Sequence, residues 1–148
     1  MMHNETMHEN ALSYMKTLLA IPSPTGYTRD ATDYLLSELE RLGFSPERTR
    51  KGCVYCELGG EGNGLLLSAH VDTLGLMVRS VKSNGRIRYT HVGGGHDATI
   101  ETENCTIHTR DGRAYPGTVQ STKASQHVFR NMGDEPRNDE TLEIVLDE

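Results

Sequence analysis

The chain has 148 residues, with 15 Lys and Arg against 21 Asp and Glu, for a formal net charge of −6. That length suits one ordinary domain or two small ones, and the acidic balance argues against a nucleic-acid-binding module. Hydrophobic residues make up 35% of the chain, with no Trp and two Phe, so the expected core is modest and short of large aromatic anchors.

The first ten residues are polar and carry Glu5 and Glu9. They lack the basic start and apolar stretch of a signal peptide. No run approaches the roughly 18 apolar residues of a membrane span. Three cysteines do not make a disulfide framework, and the expected setting is reducing and cytoplasmic.

Thr6-Met7-His8-Glu9 has the form of a capping box. After it Leu12, Met15 and Leu19 recur at helical spacing, which predicts a helix over residues 7–20. Ile21-Pro22-Ser23-Pro24-Thr25-Gly26 stops it, because proline lacks a donor and restricts the residue before it. A second helix is predicted over 28–42, with Ala31, Leu35, Leu39 and Leu42 as its buried stripe and Gly43 as its C-terminal cap.

The pattern then turns to strands. Residues 53–58 form a short extended run, and Gly59 to Gly64 form a flexible connection. Leu65-Leu66-Leu67-Ser68-Ala69 is nearly all apolar and predicts a strand buried on both faces. Residues 76–81 and 86–92 flank Ser83-Asn84-Gly85, a strong hairpin signal. Residues 106–109 and 115–119 flank Asp111-Gly112, a second one. Residues 142–146 are a final strand. The stretch 121–140 is polar and irregular, with room for one helical turn. Helices and a buried strand thus precede short strands with hairpin turns, and the two parts meet near Thr73 to Gly75.

The sharpest chemical feature is His70-Val71-Asp72. On a strand, residues i and i+2 face the same way. The Asp72 carboxylate can then accept the ring N–H that a metal does not use, fixing the tautomer. The end of a buried strand is also where open α/β sheets bind ligands. The triplet alone is short enough to arise by chance.

Other candidates carry less. Cys53-x-x-Cys56 has zinc-ribbon spacing, but only Cys105 remains to join it, so the pair reads as small apolar residues in a strand. The glycine run at 59–64 lacks the Lys-Ser/Thr of a phosphate loop. Gly93-Gly94-Gly95, with His96 and Asp97, reads as a backbone bend. His91, His108 and His127 show no metal-ligand spacing. No Gly-x-Ser-x-Gly elbow supports a serine hydrolase.

Taken together, Ser68-Ala69-His70-Val71-Asp72-Thr73-Leu74-Gly75-Leu76-Met77-Val78 resembles the first metal motif of the large tetrahedral self-compartmentalised metallo-aminopeptidases. Ile21 to Tyr27 is similar to the segment after that family's first helix. Asn84-Gly85, Val92-Gly93-Gly94 and residues 106–119 resemble strands of its inserted β domain. Similarity runs from about residue 8 to 148.

The resemblance implies a fold. Residues 1–74 would begin a zinc-peptidase-type α/β domain with two helices and a buried strand. Residues 75–148 would be a mostly-β, small barrel-like or PDZ-like insert domain, nearly complete. It also implies removal of N-terminal residues from peptides by metal-activated water. The full-length family uses two divalent ions, zinc or cobalt. His70 would ligate one, and Asp72 would orient His70 and count as catalytic. Where family members often carry Glu after the Asp, this chain has Thr73. The family's remaining ligands and its general base follow the insert, so this chain alone is expected to bind metal weakly or not at all and to be inactive. The implied partners are peptide substrates and further copies of the chain, with no nucleic acid and no membrane. The alternative is a non-catalytic self-assembly or peptide-binding module derived from that family.

Overall fold

The structure, a computed structural model, describes residues 2–147, and the side chains of residues 6–147. It divides into two compact units, Met1–Thr73 and Leu74–Glu148.

The first unit opens with helix α1, Met2–Ala20. It begins earlier than the capping box suggests, because residues 2–5 contain no glycine or proline to stop it, and Thr6 sits inside the helix. Leu12, Met15 and Leu19 lie on it as expected but are largely exposed. Helix α2, Arg29–Arg41, follows the proline segment. Its end is a Schellman motif: Gly43, with φ +89°, donates to Glu40 O at 2.9 Å, and Phe44 donates to Leu39 O at 3.0 Å. Only a residue tolerant of positive φ closes the helix this way. Two-residue strands β1 (Glu47–Arg48) and β2 (Val54–Tyr55) pair antiparallel. Arg48 ties this ribbon to α2 through Asp33 and Thr32.

Two expectations for this unit need correction. The strand foreseen over 53–58 shrinks to Val54–Tyr55, with Cys53 and Cys56 just outside it. The buried strand foreseen over 65–69 does not form: these residues carry no regular structure, and Leu65, Leu66 and Leu67 are 86%, 80% and 78% exposed. A strand exists by pairing its backbone with a neighbour. Among the described residues no strand of this unit pairs with 65–69, so an apolar run that reads as a core strand lies open.

The second unit is a five-stranded antiparallel sheet in the order β3-β4-β7-β6-β5. Its strands are β3 (Gly75–Val81), β4 (Ile87–Val92), β5 (Asn104–His108), β6 (Ala114–Ser121) and β7 (Leu142–Leu146). The two hairpins close on Asn84-Gly85 and Asp111-Gly112, as the turn chemistry predicts. The sheet is curled and open, with β3 and β5 as its edges, so it is a half-barrel. A four-residue helix α3, Asp97–Ile100, and a 3-10 turn at Met132–Asp134 fill the connections.

The core is Ile87, Tyr89, Val119, Leu142 and Ile144, all under a tenth exposed, with Leu76, Ile100, Cys105, Ile107 and Leu146 packed on it. Ile144 pairs with Ile87 on one side and Val119 on the other. Gly117 makes this packing possible. A Cβ there would stand 2.9 Å from both Ile107 Cδ1 and the Val145 carbonyl oxygen.

Candidate functional site

The chain around Thr25 comes back against the chain around Asp72, 47 residues later. Thr73 N–H donates to Ser23 O at 2.7 Å, and Pro24 forms a parallel bridge with Thr73. A turn closes behind it, Tyr27 N–H donating to Pro24 O at 2.7 Å. The prolines that end α1 therefore also shape the wall of the candidate site.

That clamp presents three side chains. Thr25 Oγ1 donates to Asp72 Oδ2 at 2.6 Å. Asp72 Oδ1 lies 3.2 Å from His70 Nδ1, and the Asp72 carbonyl oxygen lies 2.9 Å from the same nitrogen. Both neighbours of Nδ1 are acceptors. A neutral imidazole carries one N–H, so that proton belongs on Nδ1 and the lone pair on Nε2. The His70 side chain is 84% exposed, which leaves Nε2 open to a ligand. The Asp72 carboxyl is held below its ordinary range: the Thr25 hydrogen bond is the largest cause, burial opposes it, and the nearby His70 adds to the lowering. It is an anion at neutral pH.

His70 and Asp72 thus meet as expected, though not on a strand. Met15, Leu18 and Leu19 of α1 complete the surroundings, forming with residues 70–73 an open depression of about 420 Å³. Thr25 was not foreseen as a member of the site. Its contact with Asp72 crosses 47 residues, and no local pattern announces it. Cys53, Cys56 and Cys105 are free thiols. Among the described residues no group of three or more His, Cys, Asp or Glu gathers around one point.

A second polar cluster lies in the sheet unit. Asp97 Oδ1 accepts from Tyr89 Oη at 2.7 Å and stands 2.9 Å from His91 Nε2. The two rings meet edge to face at 5.7 Å. Burial raises the Asp97 carboxyl, but the Tyr89 and His91 bonds outweigh it and hold the group below its ordinary range. Burial and Asp97 push the Tyr89 hydroxyl far up. His91 and Asp97, which read singly as an ordinary histidine and part of a bend, therefore pin α3 to β4.

The chain is 38% identical over 145 residues to YhfE of Bacillus subtilis (strain 168), covering 97% of this chain and 42% of that protein. It is 26% identical over 136 residues to the glutamyl aminopeptidase of Lactococcus lactis subsp. cremoris (strain MG1363), covering 90% of this chain and 38% of that one. The chain therefore spans about two fifths of the length of these relatives. Its fold matches a TET aminopeptidase from a marine sediment archaeon, Thaumarchaeota archaeon, with a TM-score of 0.81 at 18% identity over 94% of this chain and 39% of that one. It also matches the TET1 peptidase of Pyrococcus horikoshii, with a TM-score of 0.77 at 23% identity over 92% of this chain and 40% of that one. The family model for M42 glutamyl aminopeptidase matches residues 52–148, a span that includes His70 and Asp72. This chain belongs to the M42 glutamyl aminopeptidase family.

Proposed function

We propose that the chain supplies the amino-terminal portion of a metal-dependent aminopeptidase, with residues 1–74 beginning a zinc-peptidase-type domain and 75–148 forming its β-rich insert. The observation that carries this is the His70 ring: Nδ1 is committed to two acceptors on Asp72, and Nε2 faces outward. An imidazole so held is prepared to give its lone pair to a metal. The donor fits zinc or cobalt, both of which accept imidazole nitrogen.

When bound, such ions would make water a nucleophile at neutral pH and polarise the scissile carbonyl. This chain's own part is narrower. His70 provides one ligand, and Asp72 keeps its tautomer and aim. One imidazole does not hold two ions, and a hydrolytic site also needs a base for the attacking water. The chain by itself therefore binds metal weakly and does not turn over peptides. The substrates of the whole enzyme are peptides with a free amino terminus, met in the cytoplasm. The P. horikoshii TET1 peptidase is described as assembling into a tetrahedron or a large octahedral shell, and homo-oligomerisation is proposed here too.

Titrating the chain with Co²⁺ while recording its NMR spectrum tests the reading. The expected result is that the His70 ring signals broaden first, and that His70→Ala abolishes the effect. Broadening elsewhere with the His70 ring untouched overturns the metal assignment. Metal-dependent release of N-terminal residues by the isolated chain, lost in His70→Ala, overturns its inactivity. Peptide binding without metal, unaffected by His70→Ala, favours a non-catalytic module.

A further inference from the structure

We infer that Thr25 is a positioning residue of the candidate centre: its hydroxyl fixes the Asp72 carboxylate in the orientation that keeps the His70 proton on Nδ1. The inference rests on the reading of His70 as the metal-facing imidazole, and extends it to a residue 45 positions upstream in sequence.

The geometry is that of a relay. A carboxylate on a single Cβ–Cγ bond turns freely unless something holds its second oxygen. Here Oδ2 accepts from Thr25 at 2.6 Å, within the range of a hydrogen bond to an ionised oxygen. That leaves Oδ1 directed at His70 Nδ1, 3.2 Å away. Without the hydroxyl, the Asp72 carboxylate is released to rotate, and one of the two acceptors on Nδ1 goes with it. The other acceptor, the Asp72 carbonyl oxygen at 2.9 Å, stays, so the tautomer preference weakens without disappearing.

Thr25 is itself held independently of this bond. The residue before it is a proline bridged to Thr73, the Ser23 carbonyl takes the Thr73 N–H, and the turn behind it is closed between Pro24 and Tyr27. The backbone sets where the hydroxyl stands, and the hydroxyl sets the carboxylate. Thr25 is also exposed, so replacing its hydroxyl by a methyl does not create a buried unpaired group.

The test is carried out on the metal-free chain, which separates it from the metal assignment above. The ¹⁵N shifts of the two His70 ring nitrogens report the tautomer directly, and protection of the Thr73 amide from exchange reports the clamp. In Thr25→Val the ratio of Nδ1–H to Nε2–H is expected to fall about fivefold, the effect of one ordinary hydrogen bond, with Thr73 still protected. Thr25→Ser, which retains the hydroxyl, is expected to restore the original ratio. Unchanged ring shifts in a folded Thr25→Val overturn the inference, as does a Thr25→Ser chain that behaves like Thr25→Val. If Thr25→Val loses Thr73 protection, Thr25→Ala takes its place. Loss of the clamp in both shows that the hydroxyl supports the fold and not the ring, and also overturns it. A wild-type His70 ring that Co²⁺ leaves untouched defeats the metal assignment while leaving the tautomer result standing.

Discussion

Glu143 lies in the middle strand of the sheet, and its side chain is 3% exposed. Its carboxylate accepts from Lys82 Nζ at 2.7 Å and from Arg86 Nη1, on either side of the β3–β4 turn. Burial raises the carboxyl, but the two cations outweigh it and hold it below the ordinary range. Glu143→Gln keeps the shape and an acceptor but removes the charge. A hydrogen bond to a charged group is worth about 1.5–3 kcal/mol and a neutral one about 0.5–1.5 kcal/mol. Lys82 and Arg86 hold different oxygens of Glu143, and Gln has one acceptor for the two donors, so one bond becomes neutral and the other is lost, at a cost of roughly 3 kcal/mol before other effects. Lys82 and Arg86 are 40% and 32% exposed, and solvent screens their side of the interaction. The variant also escapes the cost of burying a charge. The expected net loss at pH 7 is about 2 kcal/mol. The sign with pH follows from the lowered value. The contribution of Glu143 is fully present above the unfolded carboxyl pKa, about 4.3, and is lost as pH falls through the lower folded value. Urea unfolding followed by near-ultraviolet circular dichroism, to which the fully buried Tyr89 contributes, measures both limits. Wild type and variant should differ at pH 7 and converge at low pH. Equal stability at pH 7, or a gap that persists unchanged into acid, refutes the reasoning.

Two further outcomes follow from packing. Gly117→Ala places a methyl 2.9 Å from the Val145 carbonyl oxygen and from Ile107 Cδ1; the strand backbone has little room to give, and a loss of about 1–3 kcal/mol is expected in the same urea experiment. Replacing Leu65, Leu66 and Leu67 together by Ser removes an apolar run that is open to solvent, so the chain is expected to self-associate at micromolar concentration and the triple variant to sediment closer to a monomer.

What could be seen in the sequence was local. Asn84-Gly85 and Asp111-Gly112 announced their hairpins because turn geometry is decided by the residues of the turn. Gly43 announced the end of α2 for the same reason. The spacing pairs His70 with Asp72 on the geometry of an expected strand; they do meet, but on irregular chain held by the clamp to Ser23 and Pro24. The run at 65–69 misled because apolar composition states a preference for burial but supplies no partner. Thr25 was hidden because its role depends on a contact between distant segments. Glu143 was hidden differently. A charge in a strand reads as its solvent face, yet Leu142, Glu143 and Ile144 are all buried, since Lys82 and Arg86 cover what alternation would have left open.

The strand order carries a consequence for how the sheet comes into being. β3 with β4, and β5 with β6, are neighbours in sequence and can zip locally within microseconds. β4 and β6 do not touch as partners; β7 lies between them. Without residues 142–146 each hairpin would have a bare inner edge and no third strand, and an isolated two-stranded hairpin is marginally stable at best. β7 is the keystone of the sheet, and Ile144, paired to Ile87 and Val119 at once, is where the two hairpins become one cooperative structure.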